Sequence, residues 1–306
     1  MKKIAFIIHG RIRGQKSLEK KIKENFRGEF ELQFFITDAR GATPLTVAAV
    51  QKQFTYIICI GGDGTLNEVV NGMMQGKQVI PQEEFDQLRI GVLPFGTGND
   101  FAKTIGASFN LPLLKKGIEE DKFKEIDLGL VKFKSLSGDD ATRYFINITD
   151  VGLGALVVKK VNELPKWLGG SVAYQWAIIS TLFSYRLQSV KASADTKIYT
   201  GKVINYIVAN GKYFGSGMGI APDAKPDDGI LSVIIVGNVS LPFYLKSVSD
   251  IKKSKHIKHP QVFYEQAKEI VVESDVSQPI DMDGEYVGNT PMRIRVVEKA
   301  VKVICQ

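Results

Sequence analysis

Sulfur and imidazole are scarce in this sequence, with two cysteines and three histidines among 306 residues. Cys59 lies inside an apolar run and Cys305 next to the last residue. That leaves no disulfide framework and fits a reducing compartment, the cytoplasm by default. His256 and His259 stand three apart in the basic stretch Lys252-Lys-Ser-Lys-His-Ile-Lys-His259. No third ligand accompanies them, so zinc is rejected and a solvated helix end is expected ahead of lipid contact. Long pure apolar runs are absent too. Residues 168–185 carry no charge, but Gly169, Gly170, Ser171, Gln175, Ser180, Thr181 and Ser184 interrupt them. Val172, Trp176, Ile179 and Phe183 recur at helical spacing, which predicts a helix packed on a core and no transmembrane segment. The apolar start at residues 4–8 breaks at His9-Gly10-Arg11 with no small-residue cleavage site. It is expected to be a first strand, not a signal peptide. Internal repeats, low-complexity linkers and basic segments with interleaved aromatics are also missing, so no nucleic acid partner is expected.

Forty Lys and Arg against 33 Asp and Glu give a net charge of +7, which suits an anionic partner such as a nucleotide or an acidic membrane surface. The first 125 or so residues alternate strand-like and helix-like segments: strands at 3–8, 30–36, 56–60 and 89–93, helices at 17–26, 44–51 and 66–74. Such alternation predicts a parallel sheet with helices on both faces. Beyond residue 126 the pattern turns β-like, at 128–133, 144–148, 203–209, 230–236, 269–272 and 292–297, with helical insertions at 171–185 and 241–252. The expected architecture is therefore α/β: an N-terminal doubly wound, Rossmann-like parallel-sheet domain (1–126) and a C-terminal mainly β, sandwich-like domain (127–306). The last residues are expected to pack back on the first domain.

Two loops carry the chemistry. The run Tyr56-Ile-Ile-Cys-Ile60 leads directly into Gly61-Gly62-Asp63-Gly64-Thr65-Leu66-Asn67-Glu68, a strand ending in a glycine-rich turn that opens a helix. Glycines let backbone approach a ligand closely, and free N–H groups at a helix start favour phosphate. Asp63 beside such a phosphate makes sense as a Mg²⁺ ligand or a proton acceptor. Taken alone, the motif also fits a plain strand-turn-helix connection with Thr65 as the helix cap. The design recurs where Arg89-Ile-Gly-Val-Leu93 enters Pro94-Phe-Gly-Thr-Gly-Asn-Asp-Phe-Ala102. Ligands of open α/β sheets lie beyond the carboxyl ends of the strands, so neighbouring strands would bring both loops to one crevice. Thr37, after a third strand, could add a hydroxyl there, or serve as a turn residue.

These two loops resemble the diacylglycerol kinase catalytic-domain family, in its bacterial lipid kinase branch. The resemblance continues through Tyr206-Ile-Val-Ala-Asn-Gly-Lys-Tyr-Phe-Gly-Ser-Gly-Met218, Ala221-Pro222, Asp227-Asp-Gly-Ile230 and Asp283-Gly284-Glu285, and so spans nearly the whole chain. It implies that Thr37, residues 61–67 and Thr97 bind ATP. It further implies that Glu285 is the general base on a lipid hydroxyl, with Asp63 as competitor for that role. The side chain of Asp228 and the backbone carbonyls of Lys225 and Ile230 are implied ligands of a structural Mg²⁺. Taken alone, residues 283–285 read as a hairpin turn and residues 227–229 as a surface turn. One departure stands out: many relatives have Asn-Pro and a Ser-Gly after the first strand, where this chain has His9-Gly10-Arg11-Ile12-Arg13-Gly14.

The implied function is transfer of the γ-phosphoryl of MgATP to a lipid hydroxyl, by an enzyme that contacts the inner face of the membrane peripherally. A homodimer is a reasonable prior for a cytoplasmic enzyme. Two other functions share the motifs: a kinase of a soluble substrate, because NAD kinases also carry a Gly-Gly-Asp-Gly-Thr turn, and a catalytically silent nucleotide-binding regulator.

Overall fold

Strand β1 (Lys2–Ile8) is wholly buried over residues 4–8, as a run of isoleucine, alanine and phenylalanine must be when helices cover both faces of a parallel sheet. It is followed by α1 (Gln15–Asn25), β2 (Phe30–Ile36), α2 (Thr43–Gln51), β3 (Tyr56–Gly61), α3 (Asp63–Gly76), the single turn α4 (Gln82–Phe85), β4 (Arg89–Pro94), α5 (Asp100–Ile105) and α6 (Leu111–Glu119). β1 lies between β2 and β3, and β4 flanks β3, all parallel. The chain therefore leaves β1 in one direction through α1 and, after β2, crosses to the other side through α2. That reversal makes a topological switch point between β1 and β3, where the carboxyl ends of the strands face a common crevice. Phe6 anchors the core on the α1 side, edge-on to Phe26 and stacked on Phe34 at ring-centroid distances of 5.6 and 5.4 Å.

The computed structural model describes residues 1–28, 30–163, 180–181, 185 and 187–306. These divide into two units, Met1–Asp127 with Lys299–Gln306, and Leu128–Glu298. The returning segment adds a parallel strand beside β4, pairing Val303 with Ile90. The Asp127 carboxylate fixes its start by accepting from the Lys299 N–H at 2.7 Å. In α6, Gly117 leaves room for this strand, since a Cβ there would stand 2.3 Å from the Cys305 carbonyl oxygen.

The second unit takes most of β5 (Phe123–Ser135), then β6 (Asp140–Phe145), β7 (Ile148–Gly152), α7 (Leu153–Glu163), β8 (Gln188–Ala194), β9 (Lys197–Val203), β10 (Asn205–Ala209) and β11 (Leu231–Val236). It continues with α8 (Leu241–Lys252), β12 (Val262–Ala267), β13 (Glu269–Ser274), β14 (Pro279–Met282) and the long β15 (Glu285–Ile304). One antiparallel layer runs β12-β11-β10-β7-β14-β15, and β15 further along pairs with β13 and β5, which carry β8, β9 and β6. Val131, Phe145, Val151, Val208, Val233, Ile270 and Met292 from both groups share one buried cluster, so the unit is mainly β with its core between layers. The expected α/β class, with a parallel-sheet domain and a mainly β domain, is the observed one.

Two expected strands are divided. The run 144–148 breaks at Ile146-Asn147, whose N–H groups turn to the Asp283 carboxylate. The run 203–209 breaks at Ile204, because β9 pairs with β8 whereas β10 pairs with β7 and β11. The helix expected at 171–185 lies almost entirely outside the described residues. Among the described residues, no helix is long and apolar enough to cross a membrane.

Candidate functional site

The two glycine-rich turns touch. Phe95 N–H donates to the Gly61 carbonyl at 2.7 Å. A Cβ on Gly96 would stand 2.6 Å from the Gly62 Cα, a separation that only glycine permits. Asn99, at φ 52°, stitches the second turn by accepting from Gly96 N–H (2.9 Å) and donating to the Gly96 carbonyl (2.8 Å). Gly61, Gly62, Asp63, Gly64 and Thr65 make the end of β3 and the first turn of α3, a 14-residue helix whose N-cap Gly62 supplies no side-chain hydrogen bond. The first-turn N–H groups thus keep their capacity for an anion at the crevice. Thr37 follows β2 at the same edge; its Oγ1 accepts from Gly10 N–H at 2.9 Å. Thr97 lies exposed on the second turn. Leu66 and Asn67 turn inward: both are buried, and Asn71 donates to the Asn67 side chain and carbonyl at 3.1 and 2.9 Å.

Two acidic residues of the motif have tasks the sequence does not disclose. The Asp63 carboxylate accepts from Phe101 N–H at 3.1 Å and caps the start of α5. Burial pushes its pKa up, while backbone hydrogen bonds from Asp100, Phe101 and Asn99 pull the other way. Asp63 therefore clasps the second turn to the first. Glu68 accepts from Ala42 N–H at 2.5 Å, tying the start of α2 to α3. His9, at the departure from the relatives' pattern, has its pKa lowered by burial and then by Arg11.

In the second unit, Asp283 and Gly284 have φ of 50° and 86°, the two positive values a tight hairpin needs between β14 and β15. The Asp283 carboxylate accepts from Ile146, Asn147 and Ile148 N–H at 2.9, 3.0 and 2.9 Å. Residues 283–285 are thus a hairpin turn, and a rigid one that fixes Glu285 at the head of β15. Glu285 Oε2 accepts from Arg143 Nη2 on β6 at 2.6 Å. Arg143 goes unnoticed in the sequence, where it is one polar residue of a strand-like run.

Lys225, Asp228 and Ile230 sit on one exposed turn, with Gly229 at φ 75° and Ile230 N–H donating to Asp228 Oδ1 at 3.3 Å. An all-oxygen set of one carboxylate and two carbonyls suits a hard cation completed by water. Among the described residues no group of three or more His, Cys, Asp and Glu forms a metal cluster. The two histidines rejected as zinc ligands have separate partners: His256 bonds Asp223 at 2.7 Å and stacks on Tyr264, and His259 packs on Phe243.

Beneath α7, Asp150 of β7 and Asp281 of β14 are register partners on adjacent strands. Both are buried, and Asp150 Oδ1 and Oδ2 and Asp281 Oδ1 accept no hydrogen bond among the described residues. Burial raises both carboxyls, and Asp281 is raised further by Asp150.

Residues 3–131 match the family model of the diacylglycerol kinase catalytic domain, and residues 147–305 that of the YegS C-terminal NAD kinase beta sandwich-like domain. Curated relatives named diacylglycerol kinase include one from Staphylococcus carnosus (strain TM300), 28% identical over 99% of this chain and 95% of the relative. Another, from Staphylococcus aureus (strain MRSA252), is 27% identical over 99% of this chain and 92% of the relative. Among solved structures, a diacylglycerol kinase from Bacillus anthracis str. Sterne has the same fold, with a TM-score of 0.69 at 22% identity over 100% of this chain and 97% of that one. Yeast NADH kinase complexed with NADH shares it more distantly, with a TM-score of 0.55 at 10% identity over 100% and 84%. With the two family models covering nearly the whole sequence, the chain belongs to the diacylglycerol kinase catalytic-domain family, in the bacterial branch that carries a YegS-type second domain.

Proposed function

We propose that the protein is an ATP-dependent lipid kinase, which transfers the γ-phosphoryl of MgATP to a hydroxyl of diacylglycerol or a related lipid. The observation that carries this reading is the backbone contact of the two glycine-rich turns at Gly62 and Gly96, at the carboxyl ends of β3 and β4. It supports a single crevice for a triphosphate, with amide N–H groups from the α3 start and hydroxyls from Thr37 and Thr97 around it. Mg²⁺ bound with the nucleotide neutralises phosphate charge. A second Mg²⁺ held by Asp228, Lys225 and Ile230 would brace its turn. An alcohol is a poor nucleophile, so in this reading Glu285 holds the acceptor hydroxyl in line and takes its proton as the new P–O bond forms. The names of the staphylococcal relatives support a lipid acceptor.

A soluble acceptor is the second reading, favoured by the NAD kinase-like description of the second domain and by the fold shared with yeast NADH kinase. One experiment separates the two: purified protein is incubated with MgATP and either total lipid extract or NAD, and products heavier by one phosphate are sought by mass spectrometry. Phosphorylated lipid is expected, with Glu285→Gln lowering its rate at least about a hundredfold. Phosphorylated NAD without phosphorylated lipid reverses the ranking.

A further inference from the structure

We propose that Arg143 is a positioning residue that aims Glu285 at the acceptor hydroxyl. The inference rests on the role given to Glu285 under the lipid kinase reading. Glu285 has two carboxylate oxygens, and the described structure engages only one of them: Oε2 receives Arg143 Nη2 at 2.6 Å, while Oε1 receives no hydrogen bond. The pair is partly buried, with 25% of the Arg143 side chain and 38% of the Glu285 side chain exposed. A carboxylate free to rotate about its last torsion would sample orientations that miss the acceptor. A short charge-assisted bond from a guanidinium to one oxygen narrows the carboxylate's rotation and leaves the other oxygen presented.

The location of Arg143 makes it a firm tether. Its strand neighbours at alternate positions, Ala141 and Phe145, pack on the buried cluster of the second unit. Arg143 itself pairs with Val131 across β5 and β6. On the other side, the turn leading to Glu285 is held by the three amide bonds to Asp283. Glu285 is thereby fixed at the backbone by one element and at the carboxylate by another. Its charged neighbours are acidic on the hairpin, Asp281 and Asp283, and basic at Arg143. Lys159 of α7 is directed at the ring of Tyr286 instead, 5.4 Å from its centroid. Among the described residues Arg143 is thus the cation in contact with the carboxylate.

During transfer the acceptor O–H proton passes to Glu285 through the presented oxygen, the acceptor oxygen bonds to the γ-phosphorus, and the bond to the β-phosphate oxygen breaks to release ADP. In this proposal Arg143 acts on the rate through Glu285 and not on the reacting atoms. That dependence gives the test. Wild type, Arg143→Ala, Arg143→Lys, Glu285→Gln and the Arg143→Ala/Glu285→Gln double variant are assayed with MgATP and vesicles of total lipid extract, alongside thermal melts.

Arg143→Ala is expected to lower kcat about ten- to a hundredfold with KM for ATP unchanged, and Arg143→Lys to retain part of the rate. The double variant is expected to be no slower than Glu285→Gln alone, because nothing remains to be positioned. Losses that multiply in the double variant, or an Arg143→Ala rate equal to wild type, overturn the proposal. Should Arg143→Ala fail to fold, the same comparison is made with Arg143→Lys alone and added to Glu285→Gln. Wild type that phosphorylates NAD and no lipid sinks the lipid reading, and the same cycle is then run with NAD.

Discussion

Carboxylates carry most of the argument at the scale of single residues, and each does something different. Glu285 is legible in the sequence through its motif. Asp63 is legible only as an acidic residue near phosphate, because its bond to Phe101 N–H joins residues 38 positions apart and no local pattern records it. Asp63→Asn should therefore act on the binding of nucleotide more than on chemistry. The expected outcome is a KM for ATP raised about tenfold, with a loss of about 1 kcal/mol of stability from the weakened cap of α5. Glu285→Gln should leave both unchanged while turnover collapses. Steady-state kinetics and thermal melts of the two variants distinguish the roles.

Asp150 and Asp281 are invisible as a pair in the sequence, where 130 residues separate them. Their carboxyls are raised by burial, so the folded state holds protons that the unfolded chain releases near pH 4. The stability they contribute is present at acid pH and lost as pH rises from the ordinary carboxylate range through their raised values. Asp281→Asn removes its own titration and its charge beside Asp150 while keeping the shape. It should unfold at higher urea than wild type at about pH 8.5, by about 1–3 kcal/mol, with the gap closing at about pH 5. A gap that widens toward acid would contradict the assignment.

At the scale of elements, the sequence reveals strands and helices wherever one pattern belongs to one element, as in residues 56–60 and 89–93. It misleads where an apolar run is continuous but its pairing partners change. Residues 203–209 read as one strand, yet Ile204 separates β9 from β10, and the two pair with different neighbours. Residues 144–148 divide at Ile146-Asn147 for a reason lodged 136 residues downstream of Asn147, the Asp283 carboxylate. Conversely, β15 runs for 20 residues although its apolar density is confined to its middle and its last few residues, with polar stretches between. The hairpin at 282–285 is where local and distant information meet. Its positive φ values are foreseeable from Asp-Gly, and its attachment to Ile146, Asn147 and Ile148 is not. Asp283→Ala would leave three N–H groups without their acceptor, one of several buried hydrogen-bond losses that together cost about 3 kcal/mol or more. The variant should melt at lower temperature, and in whatever fraction stays folded the turnover should fall, because the turn that presents Glu285 loses its anchor. Full activity in Asp283→Ala would show that the hairpin holds Glu285 without that anchor.

For the molecule as a whole, alternating patterns in the first half and β-rich runs in the second are enough to yield the α/β class with its mainly β partner. The motifs are enough to yield the family. What cannot be read is which acceptor is used, because the shape of an acceptor pocket depends on side chains brought together from separated strands, and no spacing rule encodes it. Net charge is the one whole-molecule property that speaks to the acceptor's surroundings. At +7 the protein is attracted to anionic surfaces. If the acceptor is a lipid, then turnover on vesicles containing anionic lipid should exceed turnover on neutral vesicles of equal acceptor content. The advantage should shrink as ionic strength rises from about 0.05 to about 0.2 M, since the screening length falls from roughly 14 to 7 Å over that interval. Screening acts on the encounter with the surface, so the change should appear in the apparent KM for lipid and leave kcat at saturating vesicles nearly constant. A soluble acceptor offers no surface, and its turnover would respond to salt alike with either kind of vesicle present. Equal rates on anionic and neutral vesicles at low salt would therefore remove charge from the account of how this kinase meets its substrate.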